Sequence, residues 1–215
     1  MKTKKINGLH MEKMLRNALA NLCLHEEELN NLNVFPVADG DTGTNMRATL
    51  ESGLNAAKVT SAMGVYLKPL SEAMLFGAHG NSGVILSQIF RGFFTALSHC
   101  GSVTPADFRN ALICGYKLAY SSVVRPVEGT ILTVAREGIE HIKYQIDRNT
   151  SIEDLLSLYI AEMRKSLAYT PEILPQLKEA GVIDSGALGY IIIFEGMLKY
   201  LYGDILVADM REGVK

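Results

Sequence analysis

The chain has 215 residues, 48% of them hydrophobic and 20% charged, with a formal net charge of -2. That is the balance of a folded domain able to bury a sizeable core, not of a disordered chain. No basic excess marks a nucleic-acid surface, and no polybasic segment marks attachment to an anionic membrane.

The Lys-rich start, Met1 to Asn7, lacks the apolar run and cleavage site of a signal peptide. Apolar stretches are broken by Gly, Lys, Arg or Glu well before membrane-spanning length, so a soluble, cytoplasmic protein without membrane insertion is expected. Cys23, Cys100 and Cys114 are odd in number and widely spaced, which argues for reduced thiols over a disulfide framework or structural zinc.

Met11, Met14, Leu15, Ala18 and Leu22 form a helical stripe that Glu26 to Glu28 close as a solvated end. A second helix is expected from near Thr44, with Met46, Leu50 and Leu54 on one face. Others follow at about 70–79, 82–99, 105–122, 130–146, 151–168, 171–180 and 185–202. Thr104-Pro105 and Thr170-Pro171 read as cap residues before a first-turn proline. Ser151 with Asp154 reads as a capping box, Asp184 as an N-cap, and Gly181 and Gly203 as helix ends. Ile191 to Ile193 are β-branched but sit in a longer apolar run, which favours a buried helix. The fold class is all-α, with one domain over 1–203 and a tail or linker start over 204–215.

Four Gly/Asp/Ser/Thr-rich segments stand at helix starts. The first runs from Asn33 to Met46 and contains Asp39-Gly40-Asp41-Thr42-Gly43-Thr44-Asn45. Two carboxylates one glycine apart can converge on a hard cation if Gly40 and Gly43 let the loop curl through positive φ. Taken alone, an Asp-Gly pair is more often a plain turn. An EF-hand is excluded, because the positions that need Gly and Glu hold Thr44 and Leu50.

The second segment, Gly77 to Gly83, opens a helix and could aim backbone N–H groups at phosphate, with Asn81 or Ser82 as cap or ligand. It fits neither the Walker nor the dinucleotide spacing. The third is Arg125 to Thr130 and the fourth Gly181 to Leu188. Each alone reads as a helix connection; together they suggest one rim around a polyanion. These loops contain no lysine, and Arg47 and Arg125 are the nearby permanent cations, so bound phosphates would depend on metal ions and backbone dipoles.

The motif Asn33 to Met46 resembles the DhaL-type nucleotide-binding domain of dihydroxyacetone kinases, in particular the branch forming the N-terminal domain of bacterial fatty acid kinase. His79 to Gln88, Arg125 to Thr130 and Asp184 to Gly186 resemble the remaining motifs in order, and the likeness covers residues 5–203. The resemblance implies an eight-helix antiparallel bundle or barrel with ATP or ADP at one end and two Mg2+ ions held by aspartates. Asp39 and Asp41 match the paired metal ligands. The family's further acidic ligand has Asn33 as its nearest counterpart, and an amide oxygen neutralises no charge. Thr42, Thr44 and Asn45 are implied near phosphate and metal, with Asp39, Asp41 and Thr44 as the catalytic set. Asn81, Ser82 and Gly83 are implied at phosphate, and Gly129, Thr130, Asp184 and Gly186 along the nucleoside. Two departures stand out: His79 replaces a common arginine and Ala38 a usual proline.

By the same resemblance, a separate fatty-acid-binding protein presents an acyl carboxylate, which is phosphorylated to an acyl phosphate. Full-length members are longer, so the chain reads as an N-terminal fragment, and a homodimer is admitted for the full-length protein. Two other readings stand beside this one: a dihydroxyacetone kinase nucleotide-binding subunit, and a regulatory module that binds ADP without catalysis.

Overall fold

The structure is a computed structural model, which describes residues 2–207. Eight long helices close a ring. They are α1 (Gly8–Leu24), α3 (Thr42–Ala56), α4 (Met63–Phe76), α5 (Gly80–Leu97), α6 (Pro105–Ser122), α7 (Ile131–Glu140), α8 (Ile152–Ile173) and α10 (Ser185–Leu201). Each packs on its neighbours in that order, and α10 returns to α1. Two six-residue helices, α2 (Glu26–Asn31) and α9 (Pro175–Ala180), lie at the joints. The all-α expectation holds. The strands described are a two-residue antiparallel pair, β1 (Ile6–Asn7) and β2 (Ser102–Val103), with Ile6 opposite Val103.

The core fills the ring's interior. Ile191, Ile192 and Ile193 are all buried, since α10 meets α1, α3, α7 and α8 on different sides. A helix surrounded in this way carries apolar residues around most of its circumference. Tyr159, Tyr190 and Phe194 stack edge to face, with the two phenol hydroxyls 3.1 Å apart and Tyr159 Oη donating to the Ala135 carbonyl. Each buried side chain of this size contributes roughly 1.5–3 kcal/mol relative to exposure, and the paired hydroxyls avoid the penalty for an unmade buried hydrogen bond.

Local signals place several ends where expected. Thr104 and Ser151 form capping boxes with Asp107 and Asp154, and Gly181 ends α9 in the left-handed conformation. Other ends differ. Glu26 to Glu28 do not close α1; they form the acidic first turn of α2, where they complement the helix dipole. α4 starts at Met63 rather than near 70, and α7 ends at Glu140 rather than 146.

Thr170-Pro171 does not begin a helix, because α8 runs through it to Ile173. A proline at 171 cannot donate to the Leu167 carbonyl. The Thr170 hydroxyl donates to it instead, at 2.8 Å, and also accepts the Asp184 N–H at 3.1 Å.

Past α10, Asn17 holds the chain against α1, donating to the Asp204 carbonyl and accepting the Leu206 N–H. Of the tail expected over 204–215, residues 208–215 lie outside the described residues.

Candidate functional site

At one end of the ring the N-termini of α3, α5, α7 and α10 face a common cavity of about 790 Å³. The four loops singled out in the sequence therefore do converge. α3 contributes Asp41 and Thr42, and α5 contributes Gly80, Asn81 and Ser82. α7 contributes Thr130 and Ile131, and α10 contributes Asp184 and Gly186. Asn33, Asp39 and Arg125 also line the cavity.

The acidic loop turns at Gly40, whose φ of +68° is the left-handed conformation a glycine tolerates. Gly43 plays a different part from the one expected. It is helical, and a Cβ there would lie 2.5 Å from the Glu26 carbonyl oxygen, so its hydrogen lets α2 approach α3.

Both aspartates converge on one nitrogen. Asn33 Nδ2 donates to Asp39 Oδ1 at 2.9 Å and lies 3.5 Å from Asp41 Oδ1. Asn33 is buried, and its own amide oxygen has no hydrogen-bond partner. A neutral amide N–H donor thus sits between two carboxylate oxygens while a buried acceptor beside it is orphaned. This donor set fits a divalent cation: two carboxylates and an amide oxygen are hard oxygen ligands, with phosphate and water left to complete the shell. Among the described residues no group of three His, Cys, Asp or Glu side chains could hold a metal. A cation here would therefore depend on that amide or on ligand oxygens.

The α5 N-terminus is suited to an anion. Its cap residue, His79, makes no side-chain cap bond, and neither Asn81 nor Ser82 caps the helix, because α5 begins at Gly80. Gly80 has φ +59°, and a Cβ there would lie 2.2 Å from Asn45 Nδ2, so α5 starts directly against α3. His79 Nδ1 lies 2.7 Å from the Gly77 carbonyl, a hydrogen-bonding role within its own loop.

Asp184 joins two helices. Its Oδ2 accepts the Ala187 N–H of α10 at 2.8 Å, and the Ile131 backbone N–H at the start of α7 lies close enough to favour the carboxylate. Burial pushes its pKa up to about 6, against those two backbone donors that pull it down.

Other candidates lie behind the lining. Thr44 donates to Glu26 Oε1 at 2.7 Å and accepts from Asn30 Nδ2 at 3.0 Å, which turns it toward α2. Asn45 and Gly83 pack between α3 and α5, where a Cβ on Gly83 would meet Thr49 Oγ1 at 2.3 Å. Gly129 donates its N–H to Thr133 Oγ1 at 2.8 Å. Arg47 is bound by Glu26 and Glu51, each at 2.9 Å, and is not a spare cation for the cavity.

Sequence reasoning missed three contributors. Phe35, Pro36 and Val37 form an apolar wall beside the acidic pair. Glu128 is held by Tyr120, Thr133 and Arg136 and anchors the loop that carries Arg125 and Val127 to the cavity. Asn30 binds the first turn of α3.

Comparison with known proteins agrees with this architecture. The DAK2 domain model matches residues 36–199. The chain is 40% identical to an uncharacterized protein of Staphylococcus saprophyticus over 207 residues, covering 95% of the chain and 38% of that protein. It is 40% identical to protein YloV of Bacillus subtilis over 206 residues, covering 95% of the chain and 37% of that protein. The chain thus spans less than two fifths of the length of these relatives. In three dimensions it resembles the dihydroxyacetone kinase of C. freundii, whose structure was solved in complex with AMP-PNP and Mg2+. The TM-score is 0.62 at 17% identity, covering 88% of this chain and 33% of that one. A family match across most of the chain leads to one conclusion: the chain belongs to the DAK2 domain family.

Proposed function

We propose that this chain is the magnesium–nucleotide-binding domain of an ATP-dependent kinase. The acceptor in this reading is a fatty acid presented by a separate lipid-binding protein. The supporting observation is the convergence of Asp39 and Asp41 on the Asn33 amide beside the α5 N-terminus. Asp39 and Asp41 would hold the two magnesium ions, with the Asn33 amide oxygen as a further ligand. Bound magnesium would neutralise the phosphate oxygens and draw charge from the bond to be broken. The backbone N–H groups of Gly80, Asn81 and Ser82 would orient the phosphates, and Thr130, Asp184 and Gly186 would line the nucleoside. In the reaction an acceptor carboxylate oxygen forms a bond to the γ-phosphorus. The bond from that phosphorus to the β–γ bridging oxygen breaks, ADP leaves, and an acyl phosphate remains.

Asp39→Asn and Asp41→Asn are each expected to abolish magnesium-dependent ADP binding while leaving the helical circular dichroism spectrum intact. Calorimetric titration of Mg·ADP into each variant tests this, and unchanged affinity would refute the site. The structural likeness to a dihydroxyacetone kinase favours a second acceptor. Phosphate appearing on dihydroxyacetone without any lipid-carrying protein would replace the fatty acid reading.

A further inference from the structure

Asp41 is the N-cap residue of α3 by position, yet its side chain makes no cap hydrogen bond. Aspartate is among the strongest N-caps, and its carboxylate normally accepts the N–H of the second or third helical residue. In α3 those residues are Gly43 and Thr44. Both N–H groups are taken by another side chain: Asn30 Oδ1, from α2, accepts Gly43 N–H at 2.8 Å and Thr44 N–H at 3.2 Å.

The orientation of that amide is held from its other end. Asn30 Nδ2 donates to Thr44 Oγ1 at 3.0 Å, and the same hydroxyl donates to Glu26 Oε1 at 2.7 Å. The oxygen of Asn30 is therefore left facing the two helix N–H groups. The contact needs α2 to sit very close to α3, which Gly43 permits: a Cβ there would lie 3.0 Å from Leu29 Cβ and 3.1 Å from Asn30 Oδ1.

From this arrangement we propose that Asn30 is a positioning residue for metal binding. It caps α3 in place of Asp41 and so leaves the Asp41 carboxylate pointing into the cavity beside Asp39. The inference rests on the magnesium–nucleotide reading above. Without Asn30, the two N–H groups of α3 lose their acceptor and the nearest substitute is Asp41 itself. Each time Asp41 turns back to cap the helix, the cation loses one of its two carboxylates. A neutral amide performs the capping without adding a third negative charge behind the pair.

The test titrates MgCl2 into the chain at a fixed ADP concentration, by calorimetry, in parental, Asn30→Ala and Asn30→Asp forms, with thermal unfolding measured in the absence of metal. Capping competes with an energy equivalent to about tenfold in affinity. Asn30→Ala is accordingly expected to weaken magnesium about tenfold while its metal-free melting temperature stays close to parental, because Asp41 takes over the cap. Asn30→Asp keeps an acceptor at the two N–H groups and is expected to hold magnesium at least as tightly as the parental chain.

Unchanged magnesium affinity in Asn30→Ala overturns the proposal. So does an equal loss in Asn30→Asp, and that arm decides if the alanine variant fails to fold. A parental chain that shows no magnesium-dependent ADP binding would sink the underlying functional reading instead.

Discussion

Replacing Asp184 with asparagine should remove a pH dependence of stability that this carboxyl carries alone. Asp184 is buried where α7 meets α10, and its pKa stands at about 6 against an ordinary value of 3.8. A carboxyl whose folded pKa is raised favours the fold in its protonated form. Its contribution is complete below the unfolded pKa and is lost as pH rises through about 6. The shift corresponds to about 3 kcal/mol in all, of which about 2 kcal/mol falls between pH 4 and pH 7.

Asparagine cannot titrate but can still accept the Ala187 N–H. The assay is urea unfolding of both proteins at pH 4, 5, 6 and 7, without metal or nucleotide. Glu153 and Asp154 are shifted downward, so the parental curve mixes slopes of opposite sign. The difference between parental and variant isolates Asp184. That difference should move by about 2 kcal/mol in favour of the variant between pH 4 and pH 7. A difference constant across this range would refute the assigned environment.

Two further outcomes follow from single contacts. Thr170→Val removes the hydroxyl that serves both the Leu167 carbonyl and the Asp184 N–H, leaving two buried backbone groups unpaired; a loss of about 1–3 kcal/mol is expected by urea unfolding. Glu128→Gln loosens a half-exposed anchor, so stability should fall by less than about 1 kcal/mol. Amide exchange over residues 124–129 should nevertheless quicken measurably, and unchanged exchange would show that the loop is held by other contacts.

The legibility of the sequence followed the range of the interactions involved. The starts of α6 and α8 were readable because a cap residue before a first-turn proline, or a capping box, is complete within four residues. The start of α4 was not. Ala62 offers no cap, and the first N–H groups are taken by distant carbonyls, Met63 by Gly101 and Gly64 by Cys100, at 3.1 and 3.0 Å. Thr170-Pro171 carried a sound local signal for a helix start that tertiary hydrogen bonds overrode.

The site divides in the same way. Asp39, Asp41 and the opening of α5 stand in motifs whose chemistry is local, and the structure brings them together. Thr44 belongs to the same motif but faces α2, and its part became clear only with Asn30 in place. That asparagine lies thirteen residues from Gly43 in sequence, with no fixed spacing to announce it.

On the proposed reading, the charge arrangement of the cavity makes cation and nucleotide bind as one unit. Each long helix presents about half a positive charge at its N-terminus. At α3 that end is met by the neutral Asn30 oxygen, and at α10 it is met by Asp184. At α5 the cap residue makes no side-chain cap bond, and the first helical residues line the cavity. Phosphate alone would find that favourable end and two facing carboxylates; a cation alone would find the carboxylates and an incomplete shell. Each ligand supplies what the other lacks, so each raises the affinity of the other by the same factor. On the proposed reading, this explains why the pocket needs no lysine: the bound cation adds its positive charge to that of Arg125 in the lining.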